Sequence, residues 1–236
     1  MKKTLLVISL GLVLTACGSG GSSSQSNNME MTKTKSIDFV VDDLKQQVIE
    51  MKTIELDDGS VLELANMPVG FNEVKVKEGK VKILNGVYYI FDTLIPNNLK
   101  YDEYGQAINV NLEGKQEFGA IFTDINNLPK SGTVTYKGES LGVATRGKLQ
   151  LDVNFSDKTL TGKIYDRHLE SGKPIADINL TNGRISSKNP IFYGDASYLD
   201  VKSKFDGAFV GPKGEEVIGH VTKDGAVYVG FGGKRQ

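Results

Sequence analysis

Residues 147–164 read GKLQLDVNFSDKTLTGKI. Leu149, Leu151, Val153 and Phe155 alternate with Gln150, Asp152 and Asn154. After Ser156, Asp157 and Lys158, the residues Leu160, Gly162 and Ile164 alternate with Thr161 and Lys163. A period of two places an apolar row and a polar row on opposite faces of a strand. Two such runs in succession predict an antiparallel hairpin with one face buried and one in water.

The same pattern extends in both directions. Val134 and Tyr136 precede the stretch, and Ile178 and Leu180 follow it before the turn-type pair Asn182-Gly183. Val217, Gly219 and Val221, then Asp224-Gly225, then Val227, Val229 and Phe231 form the last hairpin. About eight strands in a row without a helical segment predict closure into a barrel, which removes exposed edges. Gly162, Gly207 and Gly219 fall on inward positions, where small residues allow a narrow barrel to coil. The outward rows are polar, so this is a water-soluble barrel; a membrane-spanning one is apolar outside.

Leu128-Pro129 marks the expected boundary, with the barrel at 129–236 and a smaller β-rich unit at 36–128. In that unit Asp58-Gly59, Glu78-Gly79 and Asn85-Gly86 separate short alternating runs, as hairpin turns do. Val87 to Phe91 reads as one of the strands, and a polar loop runs from about Pro96 to Gly105. Ile37, Val41, Leu44, Val48 and Met51 recur at spacings of four and three, with Ser36 placed to cap. That spacing predicts one short helix, with a strand at Ile37 to Val41 as the alternative.

The first residues form a different device. Lys2 and Lys3 precede the apolar Leu5–Leu14 run, which is too short to span a bilayer and reads as a signal peptide over 1–16. Its end, Leu14-Thr15-Ala16-Cys17, resembles a bacterial lipobox. The resemblance implies diacylglyceryl and palmitoyl-type acylation at Cys17, with cleavage before it. Each buried methylene adds about 0.8 kcal/mol, so several chains anchor firmly. Cys17 is the sole cysteine, so no disulfide supports the fold. Residues 17–35 are Gly-, Ser-, Asn- and Gln-rich, the composition of a flexible tether.

With 28 basic and 29 acidic residues the chain has net charge -1, and no Lys/Arg run suits a nucleic-acid backbone. No metalloprotease, nucleophile-elbow, Walker or EF-hand pattern occurs, so neither an enzyme nor a resident cofactor or metal is expected. Asp42-Asp43 and Asp57-Asp58 read as surface carboxylates. Of the two histidines, His168 lies in a charged hairpin loop and is the one residue suited to a haem ligand. His220 alternates with Gly219 and Val221 and points outward. Tyr88, Tyr89, Phe91, Tyr101 and Tyr104 surround the polar loop; Tyr89 and Phe91 read as core, while Tyr101 and Tyr104 fit either core or a partner-binding face.

Several motifs carry a family resemblance. Leu128-Pro129, the run GTVTYKG at 132–138 and Gly147-Lys148-Leu149 resemble the opening of the barrel of factor H-binding proteins. Phe205-Asp206-Gly207-Ala208-Phe209, Gly211-Pro212, Glu216-Val217, Gly219 and Gly232-Gly233-Lys234 resemble its close, and also the barrels of transferrin-binding protein B. These are Slam-dependent surface lipoproteins. The resemblance implies an outer-membrane, lipid-anchored protein delivered by a surface-export translocon and facing the exterior, with Gly18 compatible with outer-membrane sorting. It implies a host serum protein as partner, foremost a complement regulator such as factor H. The alternative is capture of haem, haemoglobin or transferrin for iron, and a third class is an adhesive surface protein. Factor H binders carry an acidic residue in the last hairpin where Thr222 stands here, and Asp200 supplies a second acidic position. Tyr101, Tyr104, Asp200 and Thr222 are therefore the candidate partner-binding residues.

Overall fold

A computed structural model of the chain describes residues 53–104, 107–108, 116–223 and 226–236. The expected helix over 37–51, the tether, Cys17 and the Asp224-Gly225 turn lie outside the described residues. Eight strands precede the barrel: β1 (Thr53–Glu55), β2 (Val61–Glu63), β3 (Gly70–Val76), β4 (Gly79–Asn85), β5 (Tyr89–Pro96), β6 (Lys100–Tyr101), β7 (Ala107–Ile108) and β8 (Gln116–Ala120). Nine follow: β9 (Thr133–Gly142), β10 (Thr145–Asn154), β11 (Thr159–Leu169), β12 (Pro174–Ile175), β13 (Ile178–Ile185), β14 (Ile191–Tyr198), β15 (Val201–Val210), β16 (Glu216–Lys223) and β17 (Ala226–Arg235). Among the described residues the helical segments are two single 3-10 turns, Leu64–Asn66 and Ile125–Asn127.

The barrel is closed. Antiparallel neighbours run β10-β9-β17-β16-β15-β14-β13-β11, and β11 pairs back onto β10. Leu149, Leu151 and Val153 face inward with Leu160, Ile164 and Leu180, all buried, as the alternation requires. Phe192, Phe205, Phe209 and Phe231 fill the centre, with the Phe192 and Phe209 rings 5.3 Å apart edge to face. Inward glycines make room for them. A Cβ on Gly207 would lie 2.4 Å from the Phe192 ring, and one on Gly219 would lie 2.5 Å from the Phe231 ring. Tyr136 is buried too, and its hydroxyl donates to the Gly214 carbonyl at 2.7 Å.

One turn signal reads differently in the fold. Asn182-Gly183 lies inside β13, where the pairing shifts register between Thr181 and Arg184. Asn182 takes φ +54, and a Cβ on Gly183 would lie 2.4 Å from the Leu160 carbonyl oxygen. The pair that favours positive φ in a hairpin serves here as a β-bulge, which bends the strand around the barrel. The strand expected from Val87 begins at Tyr89 instead, because Gly86 to Tyr88 form the turn itself. His168 also belongs to a strand, since β11 runs on to Leu169.

The sheet β3-β4-β5-β8 packs on the outside of the barrel wall. Leu141, Ile191, Ala208, Val210 and Ile218 point outward and are buried against Leu84, Tyr89, Phe91, Ala120 and Phe122. The otherwise polar outer surface thus carries one apolar footprint. Gly230 and Gly232 are its seats: Cβ atoms there would lie 2.5 Å from the Phe91 ring and 2.3 Å from the Tyr89 ring. Tyr89 and Phe91 are core residues, as read. His220 points outward, yet it is buried beside this footprint, level with Gly230, and its Nε2 lies 2.9 Å from Asp206 Oδ1. Residues 121–132 connect the two parts; Thr123 N donates to the Phe209 carbonyl and Gly211 N to that of Ile121.

Polar groups lock the contact at both ends. The buried Glu216 carboxylate accepts from the consecutive backbone N–H groups of Val87 (3.1 Å) and Tyr88 (3.0 Å). At the other end Glu170 of the barrel pairs with Lys82 and, at 2.9 Å, with Lys80. Burial, reinforced by Lys80, brings the Lys82 ammonium down to about 8, with Glu73 opposing. An unfolded lysine titrates near 10.5, so between about 8 and 10.5 the unfolded chain binds more protons and stability rises with pH. Denaturant titrations should show roughly 2 kcal/mol gained from pH 7.5 to 10 by the native chain. Lys82→Met should lose that pH dependence; an equal slope in both proteins would refute the assignment.

Candidate functional site

Strand direction fixes which turns share an end. The β9–β10 turn, the β11–β13 connection and the β14–β15 turn all lie at one end of the barrel, and β16 runs towards it. The small β6–β7 hairpin of the N-terminal part comes to the same end. The Lys173 ammonium sits 5.8 Å above the Tyr104 ring, and Lys80, two residues after Glu78 whose carbonyl binds Asn97 N, pairs with Glu170.

This geometry gathers the residues singled out in sequence. Tyr101 and Tyr104 are 40% and 59% exposed, so neither is core. The Tyr104 backbone is turned outward by its N–H bond to Asp102 Oδ1 at 2.9 Å, a side-chain turn that needs no sheet partner. Asp200 is exposed in the β14–β15 turn. Thr222 is half-buried near the end of β16, paired with Lys204 on one side and Val227 on the other. Two aromatic rings, a carboxylate and a hydroxyl thus decorate one end of the molecule. Aromatic rings with low rotamer entropy at exposed tips on a rigid sheet suit protein recognition.

Two residues at this surface escaped the sequence reading. Among the described residues Leu199 is the most exposed large apolar one at 71%, and it holds φ +50. With Asp200 it forms a two-residue hairpin loop between Tyr198 and Val201, where Asn or Gly is the usual residue. The signal in sequence was the absence of that glycine or asparagine between two strands. Lys173, exposed beside Tyr104, carried no signal because its partner is distant in the chain. Leu199→Asn should relieve the left-handed strain and raise stability by about 1 kcal/mol in urea unfolding; a loss of stability would contradict the strain.

His168 has a different setting. On β11 opposite Arg146, its Nε2 lies 3.5 Å from Asp166 Oδ1, while Lys148 holds the other oxygen of that carboxylate, Oδ2, at 2.7 Å. Lys148 keeps the exposed Asp166 carboxyl below its usual range. The ring is part of an exposed charged row, not of an apolar slot that would enclose a porphyrin. Among the described residues no group of three His, Cys, Asp or Glu side chains could hold a metal ion. None of their helices is long and apolar enough to cross a membrane.

Residues 126–221 match the family model described as factor H binding protein, C-terminal. The barrel is of the factor H-binding protein and transferrin-binding protein B type. Transferrin-binding protein B of Haemophilus influenzae is 24% identical over 165 residues, which are 54% of this chain and 26% of that protein. The chain therefore spans about a quarter of that relative's length. Among solved structures, transferrin-binding protein B from serogroup B Neisseria meningitidis aligns over 79% of this chain and 39% of its own, at 18% identity and TM-score 0.52. HpuA from Kingella denitrificans, solved in complex with human haemoglobin, aligns over 72% of this chain and 66% of its own, at 17% identity and TM-score 0.50. At these identities the structural likeness is one of fold. The N-terminal sheet and the factor H-binding protein type barrel both take part in it, since 72–79% of the chain exceeds the barrel alone.

Proposed function

We propose that this chain is a lipid-anchored surface protein of the outer membrane that captures a host serum protein, foremost a complement regulator such as factor H, through the loop end. One observation carries the reading: the exposed Tyr101 and Tyr104 of the N-terminal part lie towards the same end as the exposed Leu199 and Asp200 of a barrel whose sequence matches the factor H binding protein family. Capture needs exposed rings on a rigid frame and no reacting groups, so the role is non-catalytic. The lipid on Cys17 and the tether would hold the folded part at the surface, reached by way of an export translocon.

A second reading is iron acquisition, with transferrin or haemoglobin as the captured protein. The transferrin-binding protein B relative supports it, because that similarity covers more of this chain than the barrel family does. Free haem is the weaker form of this reading, given the exposed charged setting of His168.

The immobilised full chain, titrated in turn with purified factor H, transferrin and haemoglobin, tests both. Saturable binding of factor H supports the first reading. Saturation by transferrin or haemoglobin moves the assignment to the second, and three flat titrations remove both. A Soret shift with haem that vanishes in His168→Ala would establish haem capture.

A further inference from the structure

The end of the barrel opposite the candidate site is built from the β10–β11, β13–β14 and β15–β16 turns, the start of β9 and the end of β17. The connection at 121–132 lies across it, with Phe122 bridged to Val210 and Thr123 N bonded to the Phe209 carbonyl. Six cations reach this pole from five separate stretches of chain: Lys130, Lys158, Lys188, Lys213, Lys234 and Arg235. Lys158, Lys188, Lys213 and Lys234 are exposed. Among the described residues three carboxylates share the pole, and each serves its own turn. Asp124 Oδ1 accepts from Asn126 N at 2.8 Å, Asp157 Oδ2 from Asn154 Nδ2 at 2.8 Å, and Glu215 Oε2 from Lys213 N at 2.7 Å. Turn chemistry accounts for these anions. The cations come from turns unrelated in sequence, so no single turn motif explains their excess.

The rim adds a second observation. Lys137 of β9 and Lys234 of β17 are direct cross-strand partners, and both are exposed. Like charges directly opposite each other destabilise a sheet. A negatively charged partner at this pole would offset that repulsion. We propose that the pole rests on an anionic lipid surface, its lysines facing phosphate-bearing headgroups, so that the loop end points away from the membrane. This builds on the reading of the chain as lipid-anchored: the anchor supplies nearness and the pole supplies orientation.

Each Lys or Arg near such a surface adds an attraction that fades within a Debye length, about 8–10 Å at moderate salt. Turns gathered at one end of a barrel bring several charges inside that distance together. Charges spread around the wall do not. Overall charge gives no help, because without Lys2 and Lys3 the 28 basic residues fall to 26 against 29 acidic ones. Attraction to an anionic surface must therefore come from a local patch.

Vesicle sedimentation reads it, using the full chain after signal removal with Cys17→Ser, so that no lipid anchors it. In about 50 mM salt the chain should partition roughly tenfold or more in favour of vesicles with one-third phosphatidylglycerol over pure phosphatidylcholine. About 0.5 M salt should abolish the difference. Lys158→Glu, Lys188→Glu and Lys234→Glu combined should lose the preference. Lys173→Glu, Lys202→Glu and Lys223→Glu, an equal change of net charge at the loop end, should keep it. A fluorophore on Ser187→Cys should lose access to aqueous iodide on the vesicles, while one on Leu199→Cys keeps it. Equal partition onto both vesicles overturns the proposal, as does a preference that survives reversal at the pole or falls equally in both variants. The reverse iodide pattern overturns it too. Cell-derived protein without lipid on Cys17 would remove the anchored reading without changing partition, so the two failures are distinct.

Discussion

Phe209→Ala is expected to lower the unfolding free energy by about 4 kcal/mol, the loss typical of a large aromatic removed from a close-packed core. Phe209 is fully buried, and its ring touches three others: Phe192 at 5.3 Å, Phe155 at 5.5 Å and Tyr136 at 6.0 Å between centroids. Its backbone cannot follow a collapse. Phe209 N donates to the Pro190 carbonyl, and its own carbonyl accepts from Thr123 N in the connection to the N-terminal part. The wall around it is hydrogen-bonded on both sides, so the cavity stays open. Denaturant unfolding of the full chain measures this. A loss under about 1 kcal/mol would mean that the barrel interior is not packed as described.

Glu216→Ala should cost about 3 kcal/mol, chiefly where the N-terminal sheet meets the barrel. The buried carboxylate is the acceptor for two successive N–H groups at the β4–β5 turn, and truncation leaves both donors without it. A hydrogen bond to a charged group contributes about 1.5–3 kcal/mol. Glu216→Gln keeps one carbonyl oxygen and should lose about half as much. The local signature is faster hydrogen exchange at Val87 to Phe91 with little change in β10 and β11, far around the barrel. Uniform loosening of all strands would assign Glu216 to barrel closure instead.

The alternation from Leu149 to Ile164 made the barrel legible, because each strand buries one face and a period of two is visible within a single strand. The docking of the N-terminal sheet was not legible. Its footprint takes Leu141, Ile218 and Ala208 from separate strands, one or two residues from each, and they become a patch only once the barrel closes. His220 shows the same limit: its outward direction follows from alternation, but its burial depends on another part of the chain. Asn182-Gly183 misled because a bulge, like a hairpin turn, draws on positive φ, here at Asn182. At the candidate site, Tyr101 and Tyr104 stood out as aromatics in a polar loop. Leu199 did not, since its meaning lies in a backbone angle.

Capture from host serum by the immobilised full chain tests the central claim most directly when the native protein is run beside two variants. One carries Tyr104→Ala with Leu199→Asp at the loop end; the other carries Lys188→Ala at the opposite end of the barrel. The account predicts one serum protein retained equally by the native chain and Lys188→Ala, and at least tenfold less by the loop-end variant, as loss of anchor side chains would cause. No retained protein, or retention that survives the loop-end changes and fails in Lys188→Ala, would contradict it.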